Sequence, residues 1–290
     1  MRAIFFATCS PNNQCLINAF TCLGVDTKVV QYDVPGLNIQ HVLQAERPDV
    51  AIYVGGHPRY HCNPFMPNSD LIAEANAVSP IIHICSDAAD HPMWELLQEY
   101  NDKKSFRLQV LMDGCKNSPP AAYSHVELTP VDPANFAKVA WEDKPTPLGF
   151  SGGKGCRTAV LDFLQSRGAI EYFSGSPNRP YNEMCDFFTR CRAILNYGMT
   201  GSGQHFHIKG RVVEAGLAGA ALFENDQSPL ADWFEPHVDY LPWSSFEDIL
   251  GLLQRPDEEL KTMAARFHEK MVERHSAQAF WKRVFAIAGI

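Results

Sequence analysis

The stretch CRAILNYGMTGSGQHFHIKGRVVEAGLAGAALFENDQSPLADWFEPHVDYLPW, residues 191–243, decides the fold. Its apolar run over 193–197 reads as a buried strand, and the polar, glycine-rich 200–204 reads as a loop. A helix then opens at Lys209-Gly210-Arg211 and carries Glu214, and a second apolar run over 220–223 follows. Strand, helix, strand in that order gives parallel neighbours in one sheet. The helix start also has a chemistry. Backbone N–H groups flanked by Lys209 and Arg211 can face a diphosphate, while Glu214, one turn inside, can take two ribose hydroxyls. Glu214 can equally complement the helix dipole, and the two cations can be solvated loop charges. Cations at a helix N-terminus oppose its dipole unless an anion offsets them, and that conflict points to a bound anion.

The same alternation extends outward in both directions. Downstream of residue 145, strands are predicted over 148–151, 170–173, 193–197 and 220–223, with helices over 157–166, 181–189, 246–253, 256–275 and 277–285. Upstream, strands are predicted over 2–8, 28–32, 49–54, 80–85, 108–112 and 125–128, with helices over 13–23, 37–46, 68–77 and 91–100. The proline-rich segment between 129 and 147 reads as a linker. The class is α/β, with two Rossmann-like doubly wound domains at 1–145 and 146–290.

Composition narrows the function. A hydrophobic fraction of 46% and a charged fraction of 20% exclude disordered and fibrous classes. A net charge of -8 argues against nucleic acid as the main partner, because a phosphate backbone is met by a basic face. The nine cysteines, without paired C-x-x-C spacing, read as thiols in a reducing compartment and point to the cytoplasm. The N-terminal apolar run is too short for a signal peptide, and no segment approaches the roughly 20 apolar residues that span a bilayer.

Three segments resemble the C-terminal half of GT-B glycosyltransferases, most nearly the spore-maturation CgeB-like, family 1-like group: GFSGGKGCRTAVLDFL at 149–164, KGRVVEAGLAGAALFENDQSPLADWFEP at 209–236 and RPDEELKTMAARFHEKMVERHS at 255–276. The likeness covers residues 148–285 well and the first half loosely. It implies two domains facing a cleft, the second binding a nucleotide sugar and the first an acceptor. The final helix would cross back to the first domain through Trp281 or Phe285. It further implies a glycosyltransferase needing no metal and no cofactor, with a UDP-sugar as the default donor. The acceptor, a glycan, lipid, protein or modified base, stays open.

Within that frame Glu214 would lie against the donor ribose. Lys209, Arg211, Lys154, Arg157 and Gly152 would serve the diphosphate, although Gly152-Gly153-Lys154-Gly155 matches neither a Walker sequence nor G-x-G-x-x-G and reads equally as a flexible turn. Gly201 and Ser202 would let backbone approach the donor, and Asp226 would bond the transferred sugar or cap a helix over 230–234. His205 and His207 alternate but lack a third ligand nearby, so no metal site is expected. In the first half, His57 and Asp87 follow strands and are the candidate bases, Asp87 also being a possible helix cap, while Asn12 and Asn13 would touch acceptor. One departure stands out: where many retaining relatives carry a Glu eight positions before Glu214, this chain has Phe206. That keeps two rivals open, a non-catalytic nucleotide-sugar-binding protein and an epimerase or phosphorylase on the same scaffold.

Overall fold

The computed structural model describes residues 1–7, 11–31, 37–55, 69–85, 93–116, 125–174, 179–200 and 203–290, with backbone only for 11–13 and 93–96. The chain divides into two compact units, 1–128 with 277–290, and 129–276.

In the first unit the order is β1 (Arg2–Ala7), α1 (Pro11–Thr21), β2 (Asp26–Gln31), α2 (Ile39–Glu46), β3 (Val50–Gly55), α3 (Ser69–Val78), β4 (Ile81–Cys85), α4 (Met93–Asp102), β5 (Leu108–Leu111) and β6 (His125–Val126). These strands form one parallel sheet in the order β2-β1-β3-β4-β5-β6. Because strand side chains alternate, Ala3, Phe5 and Ala7 enter one core while Ile4 and Phe6 enter the other. Both faces are covered, which is why β3 reads as an apolar run and β1 and β4 are apolar but for Arg2 and His83.

The second unit repeats this winding with β7 (Thr146–Gly152), α5 (Thr158–Gln165), β8 (Glu171–Ser174), α6 (Tyr181–Thr189), β9 (Cys191–Asn196), α7 (Gly210–Leu217), β10 (Ala221–Asn225), β11 (Leu241–Trp243), α8 (Phe246–Leu252) and α9 (Asp257–Lys270). Its sheet order is β11-β10-β9-β7-β8, again all parallel. In each sheet the chain reverses direction between its first and third strands. Ligands of open α/β sheets bind beyond the C-terminal ends of strands at such a reversal, here beside β7 and β9. The last helix, α10 (Ala277–Ala288), belongs to the first unit, where Trp281 meets Phe20 edge-on at 4.8 Å.

Four features differ from the sequence reading. The 129–145 segment, read as linker, is built into the second unit: Val131 is fully buried and bridges to Ser276, and Trp141 donates to Asp257 at 2.9 Å. The predicted helix over 230–234 is a 3-10 turn, Pro229–Asp232. The helix predicted over 256–275 leaves α geometry at Lys270 and ends as a π turn, Met271–His275. The unpredicted strand β11 lies at the sheet edge, where Pro242 removes no needed ladder bond.

The first unit encloses a histidine. His83 on β4 is fully buried, stacked on Phe106 at 4.4 Å, with Nδ1 3.1 Å from Gln109 Oε1. Burial pulls it down to about 4, so the ring is neutral at pH 7. Its Nε2 points at Gly55, where an added Cβ would lie 1.9 Å away. The Gly55→Ala change is expected to lower the unit's stability by about 1–3 kcal/mol, since neither the stacked ring nor the central strand can retreat. Urea unfolding followed on β3 and β4 amides by hydrogen exchange measures this, and a loss below about 0.5 kcal/mol would contradict the packing described.

Candidate functional site

The C-terminal ends of β7 and β9 carry two guanidinium groups. Gly152 closes β7 with φ +135, a conformation that side chains disfavour, and an added Cβ there would sit 2.9 Å from Arg211 Nη2. Glycine is required twice over, by the backbone and by the arginine pressed against it. Arg211, in the first turn of α7, lies over the Phe150 ring at 4.8 Å and donates from Nη1 to Asn196 Oδ1 at 2.8 Å. Arg157 donates to the carbonyls of Tyr197 and Met199, both at 2.9 Å, and of Gly153 at 3.4 Å. It thereby ties the loop after β9 to the turn after β7. Burial pulls Arg211 down to about 10, with Arg157 deepening the fall and Glu214 and Glu224 opposing it. Like charges brought together at helix and strand ends are an arrangement that attracts an anion.

Two buried carboxyls flank this pair. Glu214 on α7 is 7% exposed and accepts a hydrogen bond from the Tyr181 hydroxyl at 3.0 Å. Burial pushes it up to about 7, while Tyr181 and Arg211 pull the other way. Glu224, on β10, is fully buried and accepts from Asn196 Nδ2 at 2.6 Å. Burial pushes it too up to about 7 against Asn196, Ser228 and Arg211. A row Arg211, Asn196, Glu224 thus runs across the ends of β9 and β10.

Residues 165–286 match the model of a family described as glycosyl transferase-like. No curated protein matches the chain. Among solved structures, HepE of Anabaena in complex with UDP and glucose is similar over 100% of both chains at 10% identity, with a TM-score of 0.67. A glycosyltransferase from Rickettsia africae is similar over 99% of this chain and 97% of its own at 8% identity and a TM-score of 0.62. An α-glucosyltransferase in complex with UDP-glucose and DNA is similar over 100% of both at 11% identity and a TM-score of 0.58. The chain has the GT-B fold of these structures, and its residues 165–286 are glycosyl transferase-like. The matched model is the broad one and does not single out a spore-maturation group.

Within the second unit Gly152, Arg157 and Arg211 stand together, and Glu214 sits one turn along α7 from Arg211; of these, Arg211 and Glu214 fall in the matched residues. Lys209 is the N-cap of α7 and supplies no side-chain cap. Lys154 is drawn to α5, donating to Asp162 at 3.2 Å and Gln165 at 3.3 Å. Asp226 is exposed beyond β10, its backbone N–H donating to Trp243 at 2.9 Å. Gly201 and Ser202 fall outside the described residues, as do His57 and Asp87. Asn12 and Asn13 open α1, and only their backbone is described. Phe206 stacks edge-on to Tyr197 at 5.5 Å, so the position of the missing Glu is filled by ring against ring. His205 is exposed and His207 buried, and no three metal-ligating side chains gather among the described residues.

Glu224 and Asn196 escaped the sequence reading. The predicted strand stops at residue 223 and assigns Glu224 to the loop, whereas β10 runs on to Asn225. The signal was available: a Glu directly continuing an apolar central strand is buried with it and must find donors.

Proposed function

We propose that the glycosyltransferase-like domain holds a nucleoside-diphosphate sugar, a UDP-sugar by default, and that the protein transfers the sugar to an acceptor with its own cations, and no resident metal or cofactor, steadying the leaving diphosphate. The convergence of Arg157 and Arg211 beside Gly152 at the sheet's reversal carries this reading. As the bond between the anomeric carbon and the distal phosphate oxygen breaks, charge builds on the diphosphate. Preorganised guanidinium groups stabilise it there without reorganising. Glu214 is assigned to the ribose, while Lys209, Lys154, Gly152, Gly201, Ser202 and Asp226 remain donor-side candidates. The complexes of HepE with UDP and glucose support the choice of base. On the first unit, Asn12 and Asn13 are assigned to the acceptor, and Asp87 or His57 to its proton. A glycan, lipid or protein acceptor suits a net charge of -8 better than a nucleic acid does. No described helix is long and apolar enough to cross a membrane. Free thiols such as Cys156 and Cys191 support a cytoplasmic setting.

A thermal-shift panel of the five common nucleoside diphosphates tests the donor site. One of them should raise the melting temperature of the wild-type chain, and its effect should vanish in Arg211→Ala. A flat panel would end the donor reading. Phe206, standing where the resemblance expects a Glu, favours one rival, a protein that binds nucleotide sugar without turnover. Donor binding with no nucleotide release across an acceptor panel would establish that rival instead.

A further inference from the structure

Asn196 can present either end of its amide to Arg211, and Glu224 decides which. Its Nδ2 donates to Glu224 Oε2 at 2.6 Å, which leaves Oδ1 to accept from Arg211 Nη1 at 2.8 Å. Turned over, the amide would set its NH2 against the guanidinium, donor against donor. The other carboxyl oxygen, Glu224 Oε1, is buried beside Gly198 and makes no hydrogen bond of good geometry among the described residues. Around this carboxyl stand Arg211 from α7, Asn196 from β9, the Ser228 hydroxyl after β10, and Tyr240 before β11. Tyr240 is pushed up to about 12 by burial and stays neutral, while the buried Asp239 behind it is paired with Lys270 at 2.6 Å. Arg211 is therefore the cation that supports an ionised Glu224. A phosphate drawn to Arg211 competes for that support.

We propose that Glu224 is a positioning residue that, through Asn196, orients Arg211 toward the donor diphosphate and takes up a proton as the diphosphate binds. This rests on the donor reading above and adds to it a dependence on pH. Burial already lifts Glu224 to about 7, so the exchange falls near neutrality. As pH rises through that value, the ionised carboxyl increasingly holds Arg211 against the ligand, and donor affinity drops.

The test is calorimetric titration with UDP-glucose, replaced by GDP-mannose or ADP-glucose if the nucleotide panel selects another base. Both phosphates of these probes are diesters that do not titrate between pH 6 and 8. The wild-type chain, Glu224→Gln, Asn196→Ala and Arg211→Ala are compared at both pH values, in buffers of unlike ionisation heat. Wild type should take up a fraction of a proton at pH 7, a readout that needs no variant. Glu224→Gln should take up none, bind like wild type at pH 6 and bind about threefold or more tighter at pH 8, as relief of a partly screened charge predicts. Asn196→Ala should weaken binding about tenfold at both pH values, the scale of one charge-assisted bond. If wild type takes up no proton and the ratio of Glu224→Gln to wild type is the same at both pH values, while Arg211→Ala still abolishes binding, this inference fails alone. If wild type binds none of the probes, or Arg211→Ala binds as well as wild type, the donor reading fails and takes this one with it.

Discussion

Arg211→Ala is expected to weaken binding of the preferred nucleoside diphosphate by about a hundredfold while leaving the fold intact. The magnitude follows from losing one or two charge-assisted hydrogen bonds to phosphate, each worth roughly 1.5–3 kcal/mol, at about 1.4 kcal/mol per tenfold. Stability should move little, and for a physical reason. In the free protein Arg211 is desolvated, faces Arg157, and is held by Asn196 and the Phe150 ring. Its removal forfeits those contacts but relieves the like-charge encounter, so the two largely offset. A residue kept for stability shows the opposite pattern, with stability lost and binding following only through unfolding. Arg211→Lys is expected to behave nearly as badly as Ala, because a lysine lacks the planar fork that stacks on Phe150 and reaches Asn196 together. Calorimetry for affinity and chemical denaturation for stability separate the outcomes. A drop in stability of several kcal/mol with affinity unchanged per folded molecule would make Arg211 a structural residue and leave the diphosphate unassigned.

What could be read in the sequence divides along physical lines. Strands buried on both faces announce themselves as apolar runs, and the recurring strand-helix alternation follows from the parallel winding they require; β1, β3, β4 and β9 were legible for that reason. Gly152, Arg157 and Arg211 were legible as donor candidates because glycines and cations cluster at a strand end and a helix start, where a local rule is broken without local compensation. Lys154 obeys the same local signal, yet its ammonium is turned to Asp162 and Gln165 on α5. The residue type predicts what it can bond, and only the surroundings decide which partner it takes. Glu224 and Asn196 were missed because the significance of each lies in the other, 28 positions away across two strands. Pro242 hid β11, since proline argues against a strand everywhere except at an edge, and edges are set by topology.

Lys144 shows the same limit and carries the largest stability prediction. It stands in the proline-rich segment that reads as linker, and nothing local marks it. In the folded unit it is 3% exposed and donates to three backbone carbonyls: Thr189 at 3.0 Å, Cys191 at 3.2 Å and Ala218 at 2.8 Å. Thr189 ends α6, Ala218 caps the C-terminus of α7, and Cys191 begins β9, so a single ammonium gathers three chain ends beneath the sheet. Carbonyls at helix C-termini carry partial negative charge and attract a cation. Burial pulls Lys144 down to about 8, and the carbonyl dipoles help keep its proton in place at pH 7. The partners are main chain, so no substitution at residue 144 can remove them together with the ammonium. Lys144→Met, close in length and apolar, would strand all three carbonyls away from water. At about 1–2 kcal/mol for each orphaned acceptor, partly offset by no longer burying a charge, the second unit should lose about 3–5 kcal/mol. Lys261, paired with Glu142 at the surface, is the control: Lys261→Met should leave stability essentially unchanged. Hydrogen exchange at β9 amides reads the second unit without assuming that both units unfold together. Equal losses in the two variants would mean that the carbonyls find water or other donors once Lys144 is gone, and that the ammonium does not hold this end of the sheet.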